Sequence, residues 1–359
     1  MVSSPCGILQ VLISDALGPG GGPFVRRWGW MREKQQNFRL GKEETCGMAK
    51  YFLKRIAYGV VTLFVLVSLT FFMQQLLPGK PFTGEKDLPE AILQALYAKY
   101  GLDKPIWQQY FIYIGNCLHG DLGVSLQNNR EVTTVIAESF VVSFDVGIRA
   151  ILFAFIMGVV LGTVAAIKRG TPIDTVCMLI ALVGVSVPSF IVASILQYFL
   201  AMKVTMALGH PIFATTGWDG WNSKILPVFA LGFGSLAQIS RLTRTSMLDV
   251  MGQDYIKTAR AKGLSQPAII WKHALRNAIT PVVTVLGPIA AGVLTGGFVV
   301  ENIFSIPGMG RYFVLSIQNR DYTLISGTTI FYGAFLIFAN LVVDLVYGII
   351  DPRVKLEEG

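Results

Sequence analysis

The chain has 359 residues, 53% of them hydrophobic and 14% charged, with a formal net charge of +8. A soluble domain carries about a quarter charged residues, so this composition is that of an integral membrane protein. The positive charge does not argue for nucleic acid, because the basic residues sit in short stretches between apolar runs, where membrane orientation accounts for them.

Residues 1–47 contain "GPGGGP" and "RRWGWMREK" without usable periodicity. The patch Ile8–Leu17 is too short to cross a bilayer, nothing after it resembles a cleavage site, and Met48 before "AKYFLKRI" reads as a natural start. A disordered or artefactual extension is expected there, with a basic membrane-surface arm as the alternative.

Crossing a bilayer core of about 30 Å takes ~20 apolar residues in a helix. Charge-free windows place six spans: Ile56–Gly79, Ala150–Ile167 (starting near Val141), Thr175–Met202, Ile225–Ser240 (running on past Arg241), Asn277–Val300, and Tyr322–Val343 extending to Ile350. Even parity puts both termini on one side. Lys54, Arg55, Lys168, Arg169, Arg241, Arg244, Lys257, Arg260, Lys262, Lys272, Arg276, Arg353 and Lys355 all fall on that side if the spans alternate. The opposite loops hold Lys203, Lys224, Arg311 and Arg320. The positive-inside rule then makes both termini cytoplasmic. The loop Pro78–Glu138, with five basic and seven acidic residues, is external and long enough to fold as a small unit.

The chain has no GxxxxGK[ST], HExxH, GxSxG or paired CxxC, so neither phosphate-loop ATP hydrolysis nor a metal or nucleophile site is indicated. Its four cysteines and three histidines are scattered. Ionisable residues near membrane depth are functional candidates. Asp145 and Arg149 are four apart and can pair on one helix face, as an interfacial pair or as part of a substrate path. Asp344 reads equally as facing the bundle interior or the inner headgroup layer. Pro188, in "VGVSVPSF", predicts a kink, and its small neighbours Gly184, Ser186 and Ser189 permit close helix approach for packing or for lining a pathway.

The basic stretch "DYIKTARAKGLSQPAIIWKHALRNAITP", Asp254–Pro281, predicts two helices. Gln253–Lys262 is free of breakers, with Asp254 suiting the positive end of the dipole and Lys262 the negative end. Gly263 is a C-terminal stop. Ser265 is an N-cap and Pro267 sits in the first turn of a helix running to about Ala278. Small Thr258, Ala259 and Ala261 flanked by Lys257, Arg260 and Lys262 suit docking in a partner's groove, or resting on anionic lipid.

"ARAKGL" (Ala259–Leu264) and "HALRNAITP" (His273–Pro281) resemble the cytoplasmic signature of permease subunits of ABC importers, nearest to the B-type permeases of oligopeptide and dipeptide uptake in the peptide/nickel branch. "GDLGVS" (Gly120–Ser125), "ENIFSIPGMGRYFVLSIQNRDY" (Glu301–Tyr322) and "NLVVDLVYGIIDPRVK" (Asn340–Lys355) resemble further family stretches, so the likeness covers roughly Met48 to Lys355. The family's Glu-Ala-Ala pattern, aligned on Gly263, falls on Lys257, Thr258 and Ala259, without the Glu.

The resemblance implies an all-α integral membrane protein with the type I importer permease fold and a small external domain between the first two helices. The expected layout is 1–47 extension, 48–79 first helix, 80–138 external loop domain, 139–355 five-helix core with a coupling helix at about 253–263, and 356–359 tail. It implies a non-enzymatic permease that moves oligopeptides across the cytoplasmic membrane of a prokaryote. The same architecture moving dipeptides, nickel or another small solute is the alternative, and a channel or membrane enzyme the reading from another class. The implied partners are a second homologous permease, two ATPase subunits that bind ATP and Mg, an extracytoplasmic peptide-binding protein, peptide and lipid, but no nucleic acid. No cofactor is implied in this chain. The implied ATPase-coupling residues are Lys257, Thr258, Ala259, Arg260, Ala261, Lys262, Gly263 and Leu264; Pro188, Ser189, Asp145, Arg149 and Asp344 are the translocation-path candidates.

Overall fold

The computed structural model describes residues 54–76, 94, 103–125, 127–295 and 297–350, with backbone alone over 344–350. The expectations for 1–47, for most of 77–102 in the external loop, and for the tail lie outside the described residues. The chain divides into two units, Met1–Val61 and Thr62–Gly359. The described part of the first is the opening of helix α1 (Lys54–Leu76), where the Lys54 ammonium lies 5.9 Å from the Tyr58 ring centre.

In the second unit the described elements are helical, joined by turns and one isolated antiparallel bridge, Val124 to Glu131. After the rest of α1 come α2 (Ile106–Leu118), α3 (Val132–Ile167), α4 (Pro172–Ser186), α5 (Ser189–Leu208) and α6 (Trp221–Met251). The short α7 (Asp254–Ala261) and α8 (266–278) follow, then α9 (Thr280–Thr295), α10 (Phe298–Ile303), α11 (Met309–Gln318) and α12 (Tyr322–Ile350). Six stretches are long and apolar enough to cross a membrane: α1, α3, α5, α6, α9 with α10, and α12. The all-α, six-span membrane architecture expected from the sequence is present.

α3 and α6 form the centre. Their most apolar windows are half buried, against about a tenth to a quarter for the other spans, whose outer faces carry exposed Val, Ile, Leu and Phe. At 1.5 Å per residue α3 is roughly 54 Å long and outruns a core of about 30 Å. Glycine allows the two helices to touch. A Cβ on Gly162 would lie 2.4 Å from the Ser240 carbonyl oxygen, and one on Gly232 would lie 2.7 Å from that of Ala150. Without a hydrophobic drive between helices in lipid, such close approach lets van der Waals packing hold the helices together.

The third span differs from the sequence reading. Thr175–Met202 is not one kinked helix; α4 ends at Ser186, Val187 is extended (ψ 121°), and α5 restarts after Pro188. The proline ring disfavours helical backbone in the residue before it and removes its own N–H, and here Val187 takes the extended backbone that interrupts the helix. α5 then contains a π-helical stretch, Gln197–Lys203. Both α4 and α5 pack along α6.

Candidate functional site

The basic stretch folds as the two helices read from the sequence. α7 begins after extended Gln253, carries Asp254 in its first turn and Arg260 in its last, and stops at Gly263, whose φ of +74° is the left-handed conformation that glycine adopts freely. Ser265 is extended before α8, and Pro267 sits in the first turn. Its hydroxyl makes no capping bond, contrary to the expected cap; its carbonyl accepts from Ile269 N–H at 3.0 Å. α8 includes a π-helical stretch, Ile269–Ala274.

The elbow is fastened to the basic end of the bundle by one buried apolar cluster. Ile256 and Ala259 of α7 meet Ile269, Ile270, Ala274 and Ala278 of α8, Met247 of α6 and Ala166 of α3. Asn277 adds a hydrogen bond, its amide donating to the Tyr255 hydroxyl at 2.7 Å. Ala259, expected on the docking surface, therefore faces inward and is 6% exposed. A helical period of 3.6 sends Ile256 and Ala259 to one side. The exposed side keeps Lys257, Thr258, Arg260, Ala261 and Lys262; Tyr255, Gly263 and Leu264, and Trp271 on α8, are exposed as well. Lys257 pairs with Asp254 at 2.8 Å in the open. Among the described residues Arg260, Lys262, Lys272 and Arg276 make no ion pair, so the elbow is strongly cationic.

A second feature at this end was missed from the sequence. Arg244 of α6 donates from Nε and Nη2 to both oxygens of Asp174 at the start of α4, at 2.7 and 2.8 Å. The Gly170 N–H adds a third bond at 3.1 Å. The Arg244 guanidinium, helped by that N–H, holds the Asp174 carboxyl at about 2, well below the usual carboxylate range. The two residues are 70 apart in the chain, and no local pattern pairs them.

The other end brings together stretches that the sequence shows separately. Ser125, closing "GDLGVS", donates to Asp321 from "NRDY", and Asp321 also accepts from Leu324 N–H at 3.1 Å in the first turn of α12. Glu301, buried at 3% exposure, accepts from Gly310 N–H at 2.8 Å at the start of α11. Ser143 of α3 accepts from Met309 N–H there. Gly308 and Gly310 sit against the Glu301 carboxylate and would clash with it if they carried a Cβ. The "PGMG" run beside a glutamate was the available signal.

Asp145 and Arg149 do pair, at 2.7 Å, and Lys224 of α6, 4.6 Å from the Trp218 ring centre, joins them at 3.4 Å. All three side chains are partly exposed. Pro188 and Ser189 form the α4–α5 break, away from this trio in the chain. The side chain of Asp344 lies outside the described residues. An apolar cleft of about 330 Å3 opens between α9, α12 and Phe144 of α3, with Gly287 and Val343 in its wall. Of the path candidates, Asp145 and Arg149 are in contact, and the elbow residues are contiguous on α7 and its turn.

Residues 158–356 match the family described as binding-protein-dependent transport system inner membrane component, and residues 48–147 match its N-terminal part. The dipeptide transport system permease protein DppB of Bacillus subtilis is 45% identical over 312 residues, 87% of this chain and 99% of that protein. The dipeptide permease DppB of Lactococcus lactis is 41% identical, over 86% of this chain and all of its own length. The oligopeptide transport system permease protein OppB of Salmonella typhimurium is 42% identical over 86% of this chain and all of its own. With six candidate spans, two matched family segments and relatives covered end to end, the chain belongs to the inner membrane components of binding-protein-dependent transport systems.

Proposed function

We propose that this chain is the permease of an ATP-driven peptide importer and that the α7–α8 elbow is where partner ATPase subunits drive it. The observation that carries the reading is the elbow itself: a short cationic helix, exposed on one side, held on the other by a buried cluster that includes the ends of α3 and α6. A push on α7 is therefore delivered to the two central helices, because a close-packed cluster moves as a body. Hydrolysis belongs to the partners, as do ATP and Mg; this chain supplies the lever and half of the path. A second, homologous permease completes the path, and an extracytoplasmic binding protein delivers substrate. Both termini and the elbow face the cytoplasm, in keeping with the Lys and Arg distribution.

The substrate reading rests on the relatives, which are named for dipeptide and oligopeptide transport. Oligopeptides are the leading substrate. Dipeptides are the second reading, favoured by the 45% identity to a dipeptide permease. Uptake of labelled peptides of graded length, in cells with and without this chain, separates the two.

Docking is tested by Ala261→Glu together with Gly263→Asp, which puts bulk and negative charge on the exposed side of the elbow. ATPase subunits should no longer co-purify, and ATP-dependent uptake should disappear. Normal uptake by the double variant would end the docking reading.

A further inference from the structure

We propose that the Asp174–Arg244 pair links the elbow to α4, so that the two are positioning residues for coupling. This rests on the docking reading above. The elbow, the end of α3 and the end of α6 share one buried cluster, and Arg244 lies seven residues before the α6 terminus at Met251. A displaced elbow therefore carries Arg244 with it. Farther along the α4–α6 contact, Gly184 lies close to Ala237 and Phe233. Such a contact contains no directional bond. The fork-on-carboxylate pair is directional, because two parallel hydrogen bonds fix angle as well as distance. Among the described residues it is the one side-chain polar link between α4 and α6.

The neighbouring polar groups do not share this task. The hydroxyls of Ser240 and Thr243 on α6, and of Thr163 on α3, are buried and make no hydrogen bond. Asp174 is in turn tied to its own loop through Gly170, so a pull on the carboxylate moves the start of α4 as a unit. The far end of α4 is the break at Val187 and Pro188, where the helical ladder is interrupted. α4 is thus gripped at one end and jointed at the other. The geometry is that of an arm moved through Asp174 and pivoting at Pro188 against α5.

The test uses the assembled importer in membranes, reading ATP hydrolysis, peptide uptake and ATPase co-purification together. Asp174→Asn and Arg244→Gln should each keep the ATPase subunits bound and hydrolysing, while peptide moved per ATP falls about 10-fold, within the usual range of coupling between sites. The exchanged pair, Asp174→Arg with Arg244→Asp, should regain part of that ratio. Hydrolysis and uptake falling in proportion would mark general damage and overturn the proposal. So would an unchanged ratio, or an exchanged pair that melts like the native complex yet transports no better than the single variants. If the native chain holds no ATPase subunits, the docking reading fails first, a separate result.

Discussion

Ile256→Ala tests whether the elbow is fastened as described. Ile256 is fully buried, against Met247, Ala259 and the α8 residues of the cluster. The substitution removes three carbons, about 2.4 kcal/mol of transfer free energy at ~0.8 kcal/mol per methylene. The residual cavity brings the cost to about 2–5 kcal/mol. The cluster joins the elbow to the ends of α3 and α6, so the cost falls on the local equilibrium that opens α7. At about 3 kcal/mol that opening becomes roughly 100-fold more populated. Hydrogen exchange on the assembled importer is the assay: amides of α7 should exchange roughly 100-fold faster, while those in the middle of α3 and α6 keep their rates. Unchanged exchange in α7 would show that the cluster does not hold the elbow. Equal acceleration throughout α3 and α6 would show that the elbow is no separate unit.

Three further outcomes follow from the geometry. At Gly263 a Cβ meets nothing within 4 Å, so the restriction is conformational alone; Gly263→Asn should be tolerated, whereas Gly263→Val should cost more than about 1–2 kcal/mol and lower ATPase co-purification. Gly162→Ala would set a Cβ 2.4 Å from a backbone oxygen and 2.6 Å from the Thr243 Cβ; prying α3 from α6 should cost about 1–3 kcal/mol and lower the melting temperature of the purified complex. The Arg244 guanidinium holds the folded Asp174 carboxyl at about 2, below the usual aspartate value of 3.8. A depressed carboxylate stabilises above its unfolded value and loses that contribution as pH falls through the folded one. Peptide moved per ATP should therefore show no step attributable to this pair between about pH 5 and 8, a window well above both values; a step there that Asp174→Asn abolishes would refute the assignment.

Much of this was legible in the sequence, because the signals were local. Charge-free windows of ~20 residues located every span but the third, which begins only after Pro188, and Asp254, Gly263 and Pro267 marked the turns of the elbow. Other errors came from long-range packing. The inward side of α7 was hidden because small residues, Thr258, Ala259 and Ala261, stand all round it, and only the neighbouring Ile256 betrays the buried face. Pro188 was seen, but whether a proline bends or breaks a helix depends on what its neighbours can satisfy. Arg244 with Asp174, and Ser125 with Asp321, are 70 and 196 residues apart and carry no local signature. Lys224 reads in the sequence only as a loop charge, and it meets Asp145 because the first turn of α6 lies beside α3 there.

The central claim is that the exposed side of α7 meets the ATPases. The most direct measurement is site-directed cross-linking from Ala261→Cys with a short bifunctional reagent, in membranes holding the assembled importer, with Gln127→Cys as the comparison. An Ala261→Cys adduct with an ATPase subunit is expected, one that Gln127→Cys does not form and that reagents confined to the outside do not give. An Ala261→Cys adduct with the extracytoplasmic binding protein, or its labelling from outside the cell, would contradict it.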